Sequence, residues 1–151
     1  MFGNGLDVRV GGLRAWARGD YACEAAVELL VRGFGGRFAS GSWPWVRVDD
    51  RSGSCWLDPD EIPAEAGVLS SGERAFLILV AALAGGPPAA DLGGVLACLD
   101  REHLGLVLAA FAHAGGSHEH AVICWTDEGA RFDRPGPLVD WPVMARSVGV
   151  A

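Results

Sequence analysis

The sequence predicts an α+β fold, with central buried helices and a small antiparallel β-hairpin or sheet. Two near-continuous apolar runs, residues 76–84 and 104–112, are each followed by a glycine pair, as is typical of helices that other elements cover. Strand-forming residues on both sides of a turn-rich stretch at 49–53 predict the hairpin. Neither apolar run reaches the roughly 20 residues of a transmembrane helix, so we predict no membrane contact.

The chain length bounds the number of domains. A chain of 151 residues can bury about two-thirds of its surface in a single core. We therefore predict one globular domain over residues 1–151, with its helical core at about 70–116 and its hairpin at about 43–57. The segment 1–7 has neither the basic nor the apolar region of a secretory signal, which predicts a cytoplasmic protein.

The N-terminal part predicts one strand and one helix. Residues 7–10 alternate weakly and predict an edge strand, which a short helical segment follows. A clearer helix covers residues 21–32, because Asp20 caps its start and Gly33 ends it. Its apolar residues form one face, so Glu24 is expected on the solvent side.

The hairpin carries half of the tryptophans, and an acidic segment at residues 49–65 overlaps it and continues beyond it. Its strands are predicted at 45–48 and 54–57, with Trp43 and Trp45 on one face. The net charge is −7, and residues 49–65 hold six acids against one arginine. A concentrated acidic surface beside aromatic rings favours a protein partner with a basic surface. The predicted contact residues are Trp43, Trp45, Trp56, Asp49, Asp50, Asp58, Asp60 and Glu61.

The same acids also have structural explanations. Asp49 and Asp50 stand in the predicted turn, where such side chains hydrogen-bond the local backbone. Residues 58–61 combine a cap, a proline at the first helical position and two acids, which together start a short helix. A divalent cation held between the two acidic groups is a further alternative, which the turn and cap roles outweigh.

The central helix has clear signals at both ends. Ser70 and Glu73 have the spacing of a capping box, in which each side chain satisfies the backbone amide of the other. A glycine pair at 85–86 and two prolines after it end the helix, so we predict it over residues 71–84. Because its middle is apolar on all sides, we expect it to be buried.

Two further helices and a strand complete the predicted core. Asp91 caps a short helix, and Asp100 caps a longer one over residues 101–114, where Glu102 and His103 are expected in solvent. The residues predicted to point inward from the longer helix are Leu104, Val107, Leu108 and Phe111. The apolar run 121–126 predicts a strand that joins the sheet of the hairpin.

The composition excludes several classes of protein. The chain has 12 arginines and no lysine, so it contains no phosphate-loop lysine and no lysine that forms an imine. Residues 69–73 resemble the signature segment of ATP-binding-cassette ATPases, but that family needs the phosphate-loop lysine, and capping explains the five residues. An acidic chain is also a poor match for general nucleic-acid binding. The four scattered cysteines are expected to be reduced and buried.

The histidines near the end of the chain are the candidate metal ligands. His118 and His120 flank Glu119, and His113 lies one glycine turn before them. Three imidazoles would match the ligand count of a catalytic zinc or iron site. The alternative, which the sequence favours, is a polar loop after a helix whose dipole stabilises a charged His113.

These observations rank the functional hypotheses. The first is a non-enzymatic protein-binding or accessory protein that acts through the acidic, tryptophan-bearing hairpin face. The second is a small metal-dependent enzyme that uses His118 and His120, and the third is an inhibitor or immunity-like protein that occupies a basic site. No cofactor is predicted, and no nucleophile motif of the Gly-x-Ser-x-Gly type occurs in the sequence.

Overall fold

The computed structural model describes the backbone of residues 3–144 and the side chains from residue 8 onward. It confirms the α+β class, with 55% helix and two small antiparallel sheets. The helices are α1 (Gly3–Ala17), α2 (Tyr21–Arg32), α3 (Ile62–Glu65), α4 (Ser71–Leu83), α5 (Leu92–Ala97) and α6 (Arg101–Ala114). The strands are β1 (Val46–Val48), β2 (Cys55–Leu57), β3 (Val122–Thr126) and β4 (Gly129–Asp133). The predicted domain limits, 1–151, include residues 1–2 and 145–151, which lie outside the described part.

The core surrounds α2, which packs against α1, α4 and α6. The largest fully buried side chains are Trp45, Phe38, Phe76, Leu13, Leu29, Leu30, Leu57, Ile62, Leu77 and Leu106. They join the helices and the β1–β2 hairpin into one apolar cluster. Among the described helices, none has both the length and the apolar content needed to cross a membrane.

The predicted starts of α2 and α4 are confirmed by their hydrogen bonds. Asp20 accepts from the amides of Ala22 and Cys23, both at 3.0 Å. Ser70 Oγ accepts from the Glu73 amide at 3.3 Å, and Glu73 accepts from the Ser70 amide at 3.1 Å. Each cap satisfies amides that would otherwise lack partners, and such caps are worth about 1 kcal/mol.

The edge strand predicted at residues 7–10 is wrong, because these residues lie within α1. Glycines weaken a helix by up to about 1 kcal/mol each, so local propensity gave the wrong element. Packing explains why the helix forms. A Cβ at Gly12 would lie 2.8 Å from the Cys55 Cβ, so the glycine lets α1 approach β2 closely, while Leu13 and Ala17 are buried beneath it.

The inward face predicted for α6 is also wrong in part. Leu108 is 52% exposed and Phe111 is 37% exposed, whereas His103, which we expected in solvent, is only 7% exposed. The observed inward residues are His103, Leu106, Val107 and Ala110, which also have helical spacing. A helix that is apolar on most sides does not indicate which side faces the core. The buried side also carries a polar contact, because His103 Nε2 accepts a hydrogen bond from the Phe34 amide.

The C-terminal strand does not join the first hairpin. β3 pairs instead with β4 in a separate antiparallel hairpin, closed by the two-residue turn Asp127–Glu128. The prediction of a single sheet is therefore wrong. β1 and β2 pair as predicted, with Arg47 opposite Trp56. All four cysteines are free thiols, but only Cys55 is buried, since Cys23 and Cys124 are half-buried and Cys98 is exposed.

Candidate metal centre

Two helix ends and one tight turn bring together Glu24, His113 and His118. Glu24 lies in the first turn of α2, and His113 lies in the last turn of α6, which packs against α2. Gly116, with φ of +72°, reverses the chain after α6. The single 3₁₀ turn of residues 117–119 then places His118 beside His113.

The three side chains are close enough to share one ion. His113 Nε2 lies 2.7 Å from Glu24 Oε2, within hydrogen-bonding distance. The rings of His113 and His118 stack with 4.1 Å between centroids and 3° between planes. One ligand atom from each of the three residues lies within 4.8 Å of the other two. The edge of Tyr21 covers His118, with 4.7 Å between ring centroids.

One nitrogen of this cluster lacks a partner. His118 Nδ1 is buried and forms no hydrogen bond within the described part of the chain. Leaving such a group unsatisfied costs about 1–3 kcal/mol. The backbone around it is held in place, since Ser117 Oγ accepts a hydrogen bond from the Leu138 amide at 3.2 Å. The buried nitrogen is therefore available to a bound group.

Glu24 is held in its ionised form. Burial alone would raise the pKa of Glu24, but hydrogen bonds from the Gly19 amide and from His113, with the charges of both histidines, lower it below its usual value. The Gly19 amide donates at 3.0 Å. An ionised carboxylate beside two imidazoles is the donor set of many divalent-metal sites.

A cavity of about 280 Å³ opens beside the cluster. Its polar wall is ordered by Glu28, which binds Arg14 at 2.6 Å and Arg32 at 2.7 Å. Burial acts to raise the pKa of Glu28, but its hydrogen bonds to both guanidinium groups lower it overall. The Arg32 guanidinium also lies 5.0 Å from the ring centre of Trp141, the tryptophan that closes the cavity. The cavity gives a small molecule access to His113 and Glu24.

The structure brings together two of the three predicted histidine ligands and adds a carboxylate. His113 and His118 belong to the cluster, whereas His120 is exposed and lies outside it. The sequence predicted Glu24 on the solvent face of α2. Its partner, His113, lies 89 positions away, so no local pattern indicates the contact. Its half-buried place in the first turn of α2, facing the end of α6, becomes evident only from the packing of the two helices.

The three tryptophans predicted for the hairpin face are buried or half-buried. Trp45 is 0% exposed, its Nε1 donates to the Phe38 carbonyl at 2.9 Å, and its ring stacks on Trp43 at 4.7 Å. A ring without exposed surface cannot contact a partner, so Trp45 is a core residue. Trp56 is half-buried and lines a second cavity, of about 450 Å³, together with Trp16.

Two of the acids predicted for that face contact neighbouring residues, and the other three are exposed or half-exposed to solvent. Asp49 accepts from the Ser52 hydroxyl at 2.7 Å and the Arg51 amide at 3.0 Å, and these bonds lower its pKa. Asp58 Oδ2 lies 3.5 Å from Arg47 Nε. The others are exposed or half-exposed: Asp50, Asp60 and Glu61. Among the described residues, none of these acids belongs to a group of three possible metal ligands.

His103 is a buried histidine whose role the sequence did not reveal. Its Nδ1 lies 2.9 Å from both Asp100 oxygens, and its Nε2 accepts from the Phe34 amide at 3.2 Å. Phe34 has a left-handed backbone, with φ of +49°, and its ring stacks on His103 with 3.9 Å between centroids. Both ring nitrogens are satisfied, so His103 holds the segment after α2 against the start of α6.

Comparison with known proteins finds no protein-family model, no curated protein and no solved structure that matches this chain.

Proposed function

We propose that the protein binds a divalent transition metal through Glu24, His113 and His118. The observation that carries this proposal is the convergence of three ligand atoms within 4.8 Å, in a cluster where the buried His118 Nδ1 has no hydrogen-bond partner among the described residues. Two imidazoles and one carboxylate suit zinc, iron, cobalt or manganese, whereas calcium and magnesium prefer sites built from oxygen.

The side chains must move to accommodate the ion. Metal–ligand distances of about 2.1 Å in a tetrahedral site put ligand atoms about 3.4 Å apart. Glu24 and His113 must therefore separate slightly from 2.7 Å, as the metal replaces the proton between them. The stacked rings must also turn so that both histidines point at one position.

Three protein ligands leave at least one coordination position free. This is the ligand count of catalytic rather than structural zinc sites, and a free position binds water or a substrate atom. The cavity beside His113 provides access to that position. We therefore favour a metal-dependent enzyme over a structural metal protein, with the ligand in the cavity bound directly to the metal.

Metal content and binding test the proposal. Protein purified without chelator, with any affinity tag removed, should bind one equivalent of zinc or cobalt, measured by elemental analysis and calorimetric titration. Glu24→Ala and His118→Ala should each weaken binding at least tenfold, while circular dichroism shows that both remain folded. His120→Ala is the matched control, because His120 lies two residues after His118 but outside the cluster, and this variant should bind as the wild type does.

Two results would reject the metal site. One is wild-type protein that binds no zinc or cobalt at micromolar concentrations of metal. The other is a bound metal that survives His118→Ala but is lost with His120→Ala, which would place the ligands elsewhere in the loop.

A basic protein partner at the β1–β2 hairpin is a second proposal. It rests on the exposed acids Asp50 and Asp60 and on the half-buried ring of Trp56. Exposed charges of one sign speed the association of an oppositely charged protein, an effect that salt weakens. Reversing both acids to arginine should slow association with such a partner and leave the fold unchanged.

A further inference from the structure

The β3–β4 hairpin exposes large apolar side chains. Trp125 is 81% exposed, Phe132 is 75% exposed and Ile123 is 52% exposed. The register places Ile123 opposite Phe132 and Trp125 opposite Ala130. Because neighbouring residues of a strand point to opposite sides, these four residues share one face, which we call the arm face.

The arm face requires a covering surface. A two-stranded hairpin is marginal in water unless its apolar face packs on something else. Within the described part of the chain, β3 and β4 pair only with each other, and every β4 residue is exposed. An exposed apolar patch of this kind marks an interaction site.

A second uncovered apolar surface lies on α6. Leu108 is 52% exposed, Phe111 is 37% exposed, and Leu104 is half-buried. Their spacing of i, i+4 and i+7 puts them on one side of the helix, which we call the α6 stripe. His103 and Leu106 occupy the inner side, so the stripe faces away from the core.

The arm face and the α6 stripe are both apolar and of similar length. Neither contains a charged residue, and the stripe spans about 10 Å along the helix, against about 7 Å between Ile123 and Trp125 along β3. The arm ends in the acidic turn Asp127–Glu128, and the start of α6 has Arg101 between the acids Asp100 and Glu102, so charge does not set the direction in which the arm lies on the helix.

We propose that the arm face of one chain packs on the α6 stripe of a second copy, and that the second copy returns the same contact. In each chain the hairpin follows the C-terminal end of α6, so every copy carries both an arm face and a stripe. In a two-fold pair, each chain offers its own arm and receives the arm of its partner. Such an exchange is closed and gives a dimer, not a filament.

The area is sufficient for a stable pair. The exposed parts of the arm face and the stripe amount to roughly 600 Å² per chain, so two reciprocal contacts bury on the order of 1,200 Å² or more. Trp125 and Phe132 supply most of it, and large aromatic residues dominate the energetics of interfaces.

Analytical ultracentrifugation of the whole chain tests the proposal. The wild type should sediment as a dimer, and Trp125→Asp and Leu108→Asp should each be monomeric at concentrations where the wild type is fully dimeric. Both substitutions place the charge on an exposed site, so circular dichroism should show folded proteins. Val68→Asp is the matched control, since Val68 is 90% exposed and belongs to neither surface, and this variant should remain a dimer.

A mixture of the two monomeric variants tests the reciprocal arrangement. The Leu108→Asp chain keeps an intact arm and the Trp125→Asp chain keeps an intact stripe, so the mixture should regain one of the two contacts and dimerise at high concentration. A monomeric wild type would overturn the proposal. Two results would show that the arm does not pack on the stripe. One is a dimer that survives Leu108→Asp, and the other is a mixture that stays monomeric at ten times the protein concentration at which the wild type dimerises.

Discussion

The two ends of α6 each carry a histidine next to a carboxylate, yet the two pairs are completed differently. At the start, His103 is 7% exposed, contacts Asp100 at 2.9 Å and accepts from the Phe34 amide. At the end, His113 contacts Glu24 at 2.7 Å and stacks on His118, whose buried Nδ1 has no partner within the described residues. We call the pair at the start the closed pair, because a backbone amide bonds the second ring nitrogen of His103. We call the pair at the end the open pair, because the neighbouring His118 can bind a further group.

This difference separates a histidine that supports the fold from one that can bind a ligand. The Phe34 amide uses the one acceptor nitrogen of a neutral His103, so a metal at that ring would have to displace a backbone hydrogen bond. At the other end, a metal would replace only a proton and would satisfy a nitrogen that is otherwise unpaired. The closed pair should therefore matter for stability, and the open pair for binding.

The largest effect should come from removing the closed pair. We expect His103→Ala to lower the free energy of unfolding by about 2–4 kcal/mol, because it leaves a cavity and removes the acceptor of the Phe34 amide. Urea unfolding followed by circular dichroism measures it. His120→Ala, at an exposed histidine, should change the stability by less than about 0.5 kcal/mol. Equal effects of the two substitutions would contradict the structural role of His103.

Zinc should have the next largest effect, and only at the open pair. At a free concentration 100 times the dissociation constant, binding stabilises the native state by about 2.7 kcal/mol, which corresponds to a rise of about 5–10 °C in Tm. A thermal melt with and without zinc should show this rise in the wild type and in His120→Ala. It should disappear in Glu24→Ala and in His118→Ala.

A rise of equal size in His118→Ala would mean that zinc binds without the cluster. Asp100→Asn provides the comparison at the closed end. It removes the negative charge at the start of α6 and weakens the contact with His103, so its Tm should start lower, but zinc should still raise it by the wild-type amount.

The sequence predicted what depends on neighbours along the chain. The caps at Asp20, Ser70 and Asp100 follow from local hydrogen bonding, and the structure contains them. The side of α6 that faces the core was predicted wrongly, because its apolar residues surround the helix. The buried side includes the contact of His103 with Phe34, 69 positions earlier, which no local pattern indicates.

The metal cluster shows the same limit. His113 and His118 were found from their spacing in the sequence, which a helix end and a tight turn preserve. Glu24 was missed, since nothing local distinguishes it from any other acid in the first turn of a helix. α1 was missed for a related reason, because the close approach that Gly12 permits to Cys55 is a tertiary contact.

The smallest expected effect is the pH dependence of stability, which also distinguishes the two ends. Hydrogen bonds lower the pKa of both Glu24 and Asp100 in the folded protein. Each carboxylate therefore contributes stability that is fully present above its unfolded pKa, near 4.5 for Glu24 and 3.8 for Asp100, and that is lost as the pH falls through the lower folded value.

Without metal, Glu24→Gln and Asp100→Asn should each reduce the loss of stability below about pH 4.5, by well under 1 kcal/mol, because both groups are partly screened by solvent.

With zinc, the wild type should begin to lose stability at a higher pH, since the histidine ligands must release their protons to bind the ion. Glu24→Gln should abolish that zinc-dependent shift, and Asp100→Asn should retain it. Urea unfolding from pH 7 to pH 3, with and without zinc, measures both, and a zinc-dependent shift that follows Asp100 instead of Glu24 would assign the metal to the other end of α6.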